Sequence, residues 1–88
     1  MEIEDIRREI DQIDGELVAL LEKRMDAVVE IVEYKKNTGK AIFDGEREQE
    51  VLKKIATLVN NKVHQETVVA TFSDIMKNSR NFQEKVLK

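Results

Sequence analysis

Residues 3–20 read IEDIRREIDQIDGELVAL and place aliphatic side chains at alternating steps of three and four positions. These side chains belong to Ile3, Ile6, Ile10, Ile13, Leu17 and Leu20. The spacing follows the period of an α-helix, and its regularity over several heptads is typical of a helix that packs along another helix. Gly15 is the only strong breaker before Gly39, which suits a left-handed helix cap. The pattern therefore predicts a first helix over about residues 2–37.

Two shorter helices are expected downstream of Gly39. Asp44 is a good N-cap, and apolar residues between Val51 and Val59 share one face of a second helix. A polar run at positions 60–62 is expected to end that helix, and a third apolar stripe follows it. We expect a single all-α domain over residues 1–88, with three helices at about 2–37, 45–61 and 65–86.

The composition excludes several classes of protein. The 88 residues contain no Pro, no Cys and three Gly, which argues against a turn-rich all-β domain and excludes disulfides and thiolate metal sites. His64 is the single histidine, which argues against a histidine-based metal site or catalytic triad. The net charge is −3, without a basic cluster, a long apolar run or a signal-peptide pattern. We therefore expect a cytoplasmic protein that binds neither nucleic acid nor membranes.

The length of the first helix indicates a second subunit. A helix of about 36 residues spans roughly 54 Å. Two shorter helices cannot cover the far half of such a helix, so its apolar seam predicts the same helix from a second chain, in an intertwined homodimer. The alternative is a monomeric three-helix bundle with a frayed first helix.

Polar residues stand at inward-facing positions of all three expected helices. They are Arg24 and Lys35 on the first, Asp44 and Glu48 on the second, and Ser79 and Gln83 on the third. Each could separately be solvated, paired with another side chain or, for Asp44, simply cap a helix. Together they favour one cation-rich pocket for a small ligand with several negative charges and a hydroxyl group. Because the sequence pairs no nucleophile with a base, catalysis there would rely on electrostatics and positioning.

The combination of these residues resembles the all-helical (AroQ-class) chorismate mutases. The resemblance covers nearly the whole chain and rests on IRREIDQID at 6–14, LLEKR at 20–24, Lys35, DGERE at 44–48, Ser79 and Gln83. It implies three helices per chain in an intertwined homodimer with two active sites. It also implies conversion of chorismate to prephenate on the route to phenylalanine and tyrosine, with no cofactor.

The resemblance further implies a role for each site residue. Arg24 and Arg7 would bind the two carboxylates of the substrate, with Arg7 supplied by the opposite subunit. Lys35 and Gln83 would donate to the ether oxygen, so that Arg24, Lys35 and Gln83 are the expected catalytic residues. The other substrate-binding positions would be Asp44 and Glu48 near the ring hydroxyl, and Ser79 and Arg47 near the ring carboxylate.

Three other interpretations stay open at this point. An isochorismate-pyruvate lyase on the same fold would use a similar pocket to eliminate pyruvate, although the acidic pair Asp44 and Glu48 favours the mutase. A non-catalytic helical module would use Arg24, Lys35 and Gln83 to sense an aromatic end product. A coiled-coil scaffold would give the matched polar positions no purpose. Turnover by the isolated chain separates the enzymes from the other two.

Overall fold

The computed structural model describes residues 2–87, which form three α-helices joined by short connections. The helices are α1 (Ile3–Thr38), α2 (Gly45–Leu58) and α3 (Gln65–Leu87), with a single 3₁₀ turn at Lys62–His64 before α3. All regular structure in this range is helical, which confirms the predicted all-α class and the number of helices. The predicted domain limits, residues 1 and 88, lie outside the described range.

The long first helix has the expected extent. It is 36 residues long, and the longest dimension of the molecule is 54 Å. It ends at Gly39, whose φ of 70° lies in the left-handed region that glycine adopts without steric cost. That conformation turns the chain so that the backbone N–H of Lys40 donates to the carbonyl of Lys35 at 3.0 Å. The predicted Gly39 cap is confirmed.

The second helix begins where predicted. The side chain of Asp44 accepts a hydrogen bond from the backbone N–H of Arg47, at 3.1 Å, so Asp44 is the N-cap of α2. This contact satisfies one of the N–H groups that a helix start leaves without a partner.

The second helix ends earlier than predicted. It stops at Leu58 rather than near residue 61, because Val59 adopts an extended backbone conformation. The side chain of Asn61 then accepts a hydrogen bond from the backbone N–H of Val63, at 3.1 Å, and so starts the 3₁₀ turn. A short polar side chain that bonds its local backbone competes in this way with continuation of a helix.

The third helix packs against both of the others, and within residues 2–87 α1 and α2 do not approach each other closely. The residues buried in this range are Val32, Met76 and Gln83, so the packed region surrounds the second half of α1. Within the described residues, no helix combines the length and apolar character that crossing a membrane requires.

The first half of α1 extends beyond the other helices. Its predicted seam is between 40% and 60% exposed at Ile3, Ile6, Ile10, Ile13, Leu17 and Leu20. No other part of residues 2–87 covers this aliphatic row.

Candidate active site

Lys35 connects the end of α1 to two other parts of the chain. Its Nζ atom donates to the backbone oxygen of Ile42 at 2.6 Å and to Oε1 of Gln83 at 3.4 Å. The first contact forms because the cap at Gly39 ends α1 and lets the following linker return toward Lys35. One ammonium group therefore holds the linker in place and reaches α3.

Gln83 is the buried polar residue of the site, with 7% of its surface exposed. Its Oε1 atom accepts from Lys35, and its Nε2 atom donates to Oγ of Ser79, one turn earlier on α3, at 3.2 Å. A lysine ammonium has donors and no acceptor, so Lys35 determines which side of the amide faces it. The amide orientation of Gln83 is thus fixed by partners on two helices.

The N-cap and first turn of α2 carry three of the predicted site residues, Asp44, Arg47 and Glu48. The carboxylate of Asp44 lies at the helix N-terminus, where the helix dipole favours negative charge. Arg47 is exposed, and its Nη1 atom lies 3.5 Å from Oε1 of Glu50. Glu48 follows Asp44 by one turn and forms an ion pair with Arg80 of α3.

Arg24 lies on the same face of α1 as Lys35, since eleven positions correspond to about three helical turns. Its side chain is partly exposed and forms no ion pair with any residue in the range 2–87. The planar guanidinium has five donors in a fork that matches a carboxylate. Arg24 is therefore available for an anionic ligand.

These elements surround a cavity of about 460 Å³ between the three helices and the linker. Its wall contains seven of the predicted site residues: Arg24, Lys35, Asp44, Arg47, Glu48, Ser79 and Gln83. Val28 and Ile31 of α1, with Met76 of α3, supply part of its apolar surface. A volume of this size is typical of pockets that hold small molecules.

Arg7 is the predicted site residue that the structure does not bring to this cavity. It lies near the other end of α1, where its exposed side chain pairs with Glu4 at 2.9 Å. Arg24 is seventeen positions away on the same helix, which corresponds to roughly 25 Å. A side chain cannot cover that distance, so the cavity of one chain lacks the Arg7 of that chain.

Lys40 and Tyr34 belong to the wall although neither was among the predicted site residues. Lys40 lies in the linker, with its Nζ atom 5.7 Å from the centre of the Tyr34 ring, and both line the cavity. The position of Lys40 between two predicted site residues, Lys35 and Asp44, was a signal that could have identified it.

Arg80 was also missed. It does not line the cavity, but it pairs with Glu48, which does. Its spacing of four positions from Met76, an inward-facing residue of the third helix, was the available signal.

The wall is positive although the whole chain has a net charge of −3. It holds four cationic side chains (Arg24, Lys35, Lys40 and Arg47) and two carboxylates (Asp44 and Glu48), which leaves two excess positive charges. Arg80 also compensates one of the carboxylates from outside the wall. Such a field attracts a small anion and favours the binding of more than one carboxylate.

Comparisons with known proteins agree with this arrangement. The sequence matches the family described as "Chorismate mutase type II" over residues 6–84. It is 32% identical, over 90 residues and 97% of the chain, to a bifunctional chorismate mutase/prephenate dehydratase of Aquifex aeolicus (strain VF5), of whose length it spans 25%. The fold is similar to the crystal structure of chorismate mutase from Helicobacter pylori in complex with prephenate. That similarity has a TM-score of 0.85 and 34% sequence identity, and it covers 97% of this chain and 92% of the other.

Proposed function

The chain belongs to the type II chorismate mutase family, and we propose that it rearranges chorismate to prephenate in the cavity between its three helices. The observation that carries this proposal is the pair formed by Lys35 and Gln83 at the cavity wall. The related Helicobacter pylori protein, with 34% sequence identity, was crystallised with prephenate. That relative therefore binds the product of the proposed reaction, which supports the proposal.

The donors of the pair are only partly used by the protein. An ammonium group has three N–H donors, of which Lys35 uses two, for Ile42 and Gln83. A primary amide has two N–H donors, of which Gln83 uses one, for Ser79. One donor on each residue has no partner among residues 2–87 and is left for a ligand in the cavity.

These two donors suit the charge that develops in the reaction. The rearrangement breaks a C–O bond while a C–C bond forms, and the ether oxygen gains negative charge in the transition state. An ammonium and an amide N–H directed at that oxygen stabilise the transition state more than the ground state. The effect is strong because Gln83 is buried and Lys35 is partly buried.

The cationic side chains hold the substrate in a reactive shape. Chorismate is a dianion, and Arg24 offers a planar fork for one of its carboxylates. Arg7 of a second copy binds the other carboxylate. Fixing both ends favours the compact conformer in which the reacting carbons meet.

The remaining wall residues orient the ring. Glu48 accepts the single hydrogen bond that the ring hydroxyl can donate, with Asp44 close to that hydroxyl, while Ser79 and Arg47 support the ring carboxylate. All four line the cavity. Asp44 is already held in place by its bond to the backbone of Arg47.

The site is completed by a homodimer. Within residues 2–87, only Val32 and Met76 are buried apolar residues, which is too small a core for a chain of this length to be stable alone. The aliphatic row on the first half of α1 is the surface that a second copy covers. An antiparallel approach of two such helices carries Arg7 of each copy toward the cavity of the other.

A direct assay of the purified chain tests the proposal. Incubation with chorismate should give prephenate without any added cofactor or partner protein. Absence of conversion, or release of pyruvate from isochorismate as the main activity, would overturn it. Binding of an aromatic amino acid without turnover would instead indicate a sensing module.

A further inference from the structure

One ion pair beside the cavity has no part in the mechanism above. Nη1 of Arg80 on α3 donates to Oε1 of Glu48 on α2, and the two side chains are 30% and 20% exposed. The other ion pairs within residues 2–87 join positions three apart on one helix, and more than half of each side chain is exposed. The Arg80–Glu48 pair is therefore the one that links two helices in a partly dehydrated setting, where a charged partner matters most.

Arg80 also contacts the linker that leads into α2. Its guanidinium carbon lies 5.2 Å from the centre of the Phe43 ring, within the range of a cation–π contact. The Phe43 ring in turn packs so closely on Gly45 that a Cβ atom there would lie 3.2 Å from it. Arg80 therefore contacts the residue before Asp44 and the side chain of Glu48, and so fixes the first turn of α2 against α3.

The pairing leaves acceptor capacity on Glu48. Arg80 donates to Oε1, and Oε2 accepts no hydrogen bond from any side chain in the described part of the protein. An ionised carboxylate can accept several hydrogen bonds through its two oxygens. Because Glu48 lines the cavity and Arg80 does not, the guanidinium supports the carboxylate from outside without occupying ligand space.

The charges of Arg80 and Glu48 indicate that Arg80 does more than pack against its neighbours. A carboxylate with no cationic partner at the wall would repel a ligand that carries two carboxylates. We propose that Arg80 is a positioning residue that neutralises and orients the carboxylate of Glu48. Glu48 can then accept a hydrogen bond from the substrate hydroxyl without repelling the substrate carboxylates. This inference rests on the proposed function of the cavity.

The first test compares the kinetics of R80M with those of the wild type. Methionine keeps an unbranched apolar side chain and removes the charge, so the uncompensated Glu48 should raise KM about 10- to 100-fold. We expect kcat to fall less than about fivefold, because the hydroxyl contact exists in both the ground state and the transition state. R80K, which restores the charge, should recover most of the loss in KM.

The second test is the double variant R80M/E48Q. Glutamine at position 48 removes the uncompensated charge and still offers an oxygen to the hydroxyl. KM of the double variant should therefore be about fivefold or more below that of R80M. If Arg80 only holds α2 in place, KM of the double variant should stay as high as that of R80M, because removing Glu48 as well does not return α2 to its position.

The matched control is K77M, which makes the same charge change at an exposed position one turn earlier on α3. Its KM should stay within about twofold of the wild-type value. Circular dichroism and sedimentation verify that each variant is folded and has the wild-type mass. If R80M does not fold, R80Q and R80Q/E48Q replace it with the same expected order of KM values.

The outcomes separate this inference from the proposed function. A wild-type chain that does not convert chorismate overturns the proposed function itself. An active wild type whose folded R80M variant keeps KM within twofold overturns the role of Arg80 alone. A double variant whose KM is no lower than that of R80M also overturns the role of Arg80 alone.

Discussion

Lys35 and Gln83 are 48 positions apart in the sequence, and Nζ of Lys35 lies 3.4 Å from Oε1 of Gln83. The contact joins the end of α1 to the last turns of α3 across the candidate site. Because an ammonium group can only donate, the contact turns the amide oxygen of Gln83 toward Lys35 and leaves the amide N–H groups for Ser79 and for a ligand. In the proposed reaction, one donor from each of these residues is directed at the same acceptor, the ether oxygen of the substrate.

Replacement of Lys35 by alanine should therefore lower kcat strongly. Loss of one such donor in other enzymes costs about 10²- to 10³-fold in kcat, and we expect a loss of at least that size. The matched control is K36A, because Lys36 is the adjacent and exposed lysine of the same helix turn. A steady-state assay should find K36A within about twofold of wild type. A folded K35A variant that kept its kcat would exclude Lys35 from the transition state.

Replacement of Gln83 by glutamate should make the activity depend on pH, with higher activity in acid than at neutral pH. An ionised carboxylate cannot donate to the ether oxygen and repels its developing charge, so Q83E should be poorly active at neutral pH. Activity should rise as the pH falls toward the pKa of the introduced carboxyl group, because the protonated acid can donate again. Q83A, which has no donor at any pH, is the control and should stay inactive across the range. Q83E activity that did not change with pH would contradict the role of Gln83.

The exposed row of aliphatic side chains from Ile3 to Leu20 on α1 predicts an obligate dimer. Sedimentation at micromolar concentration should give twice the chain mass of 10.2 kDa. L17E introduces a charge into the middle of the row, where Leu17 is 50% exposed in the single chain, and should abolish both the dimer and the activity. The control is E16Q, since Glu16 is the neighbouring exposed residue outside the row. An active L17E monomer would contradict the dimeric account.

The sequence predicted those parts of the fold that depend on local pattern. The seam from Ile3 to Leu20 and the glycine at position 39 were enough to place α1 within one residue of its observed ends. The side chain of Asp44 was enough to place the start of α2. The end of α2 was wrong because Val59 leaves the helix before the polar run begins, a choice that apolar periodicity does not reveal.

The candidate site was predictable where polar residues interrupt an apolar face. Arg24, Lys35 and Gln83 interrupt such faces, and the structure places all three at one cavity. Lys40 and Arg80 could not be found in this way. The proximity of Lys40 to Lys35 and Asp44 and the spacing of Arg80 from Met76 were signals, but the contacts of both residues depend on how the linker and α3 pack.

We propose that one active site combines residues of two chains. Arg7 and Arg24 are seventeen positions apart on one helix, roughly 25 Å, so both can contact one small substrate only if Arg7 comes from a second copy. R7A and R24A should each be nearly inactive. In a mixed dimer of the two variants, one site has both arginines and the other has neither.

The most direct measurement is the activity recovered when R7A and R24A are unfolded together and refolded. Random pairing makes about half of the dimers mixed, so activity should return to roughly a quarter of the wild-type value per site. Each variant refolded alone is the control and should stay inactive. No recovery, in a sample where mass spectrometry verifies mixed dimers, would show that the two arginines do not meet across the interface.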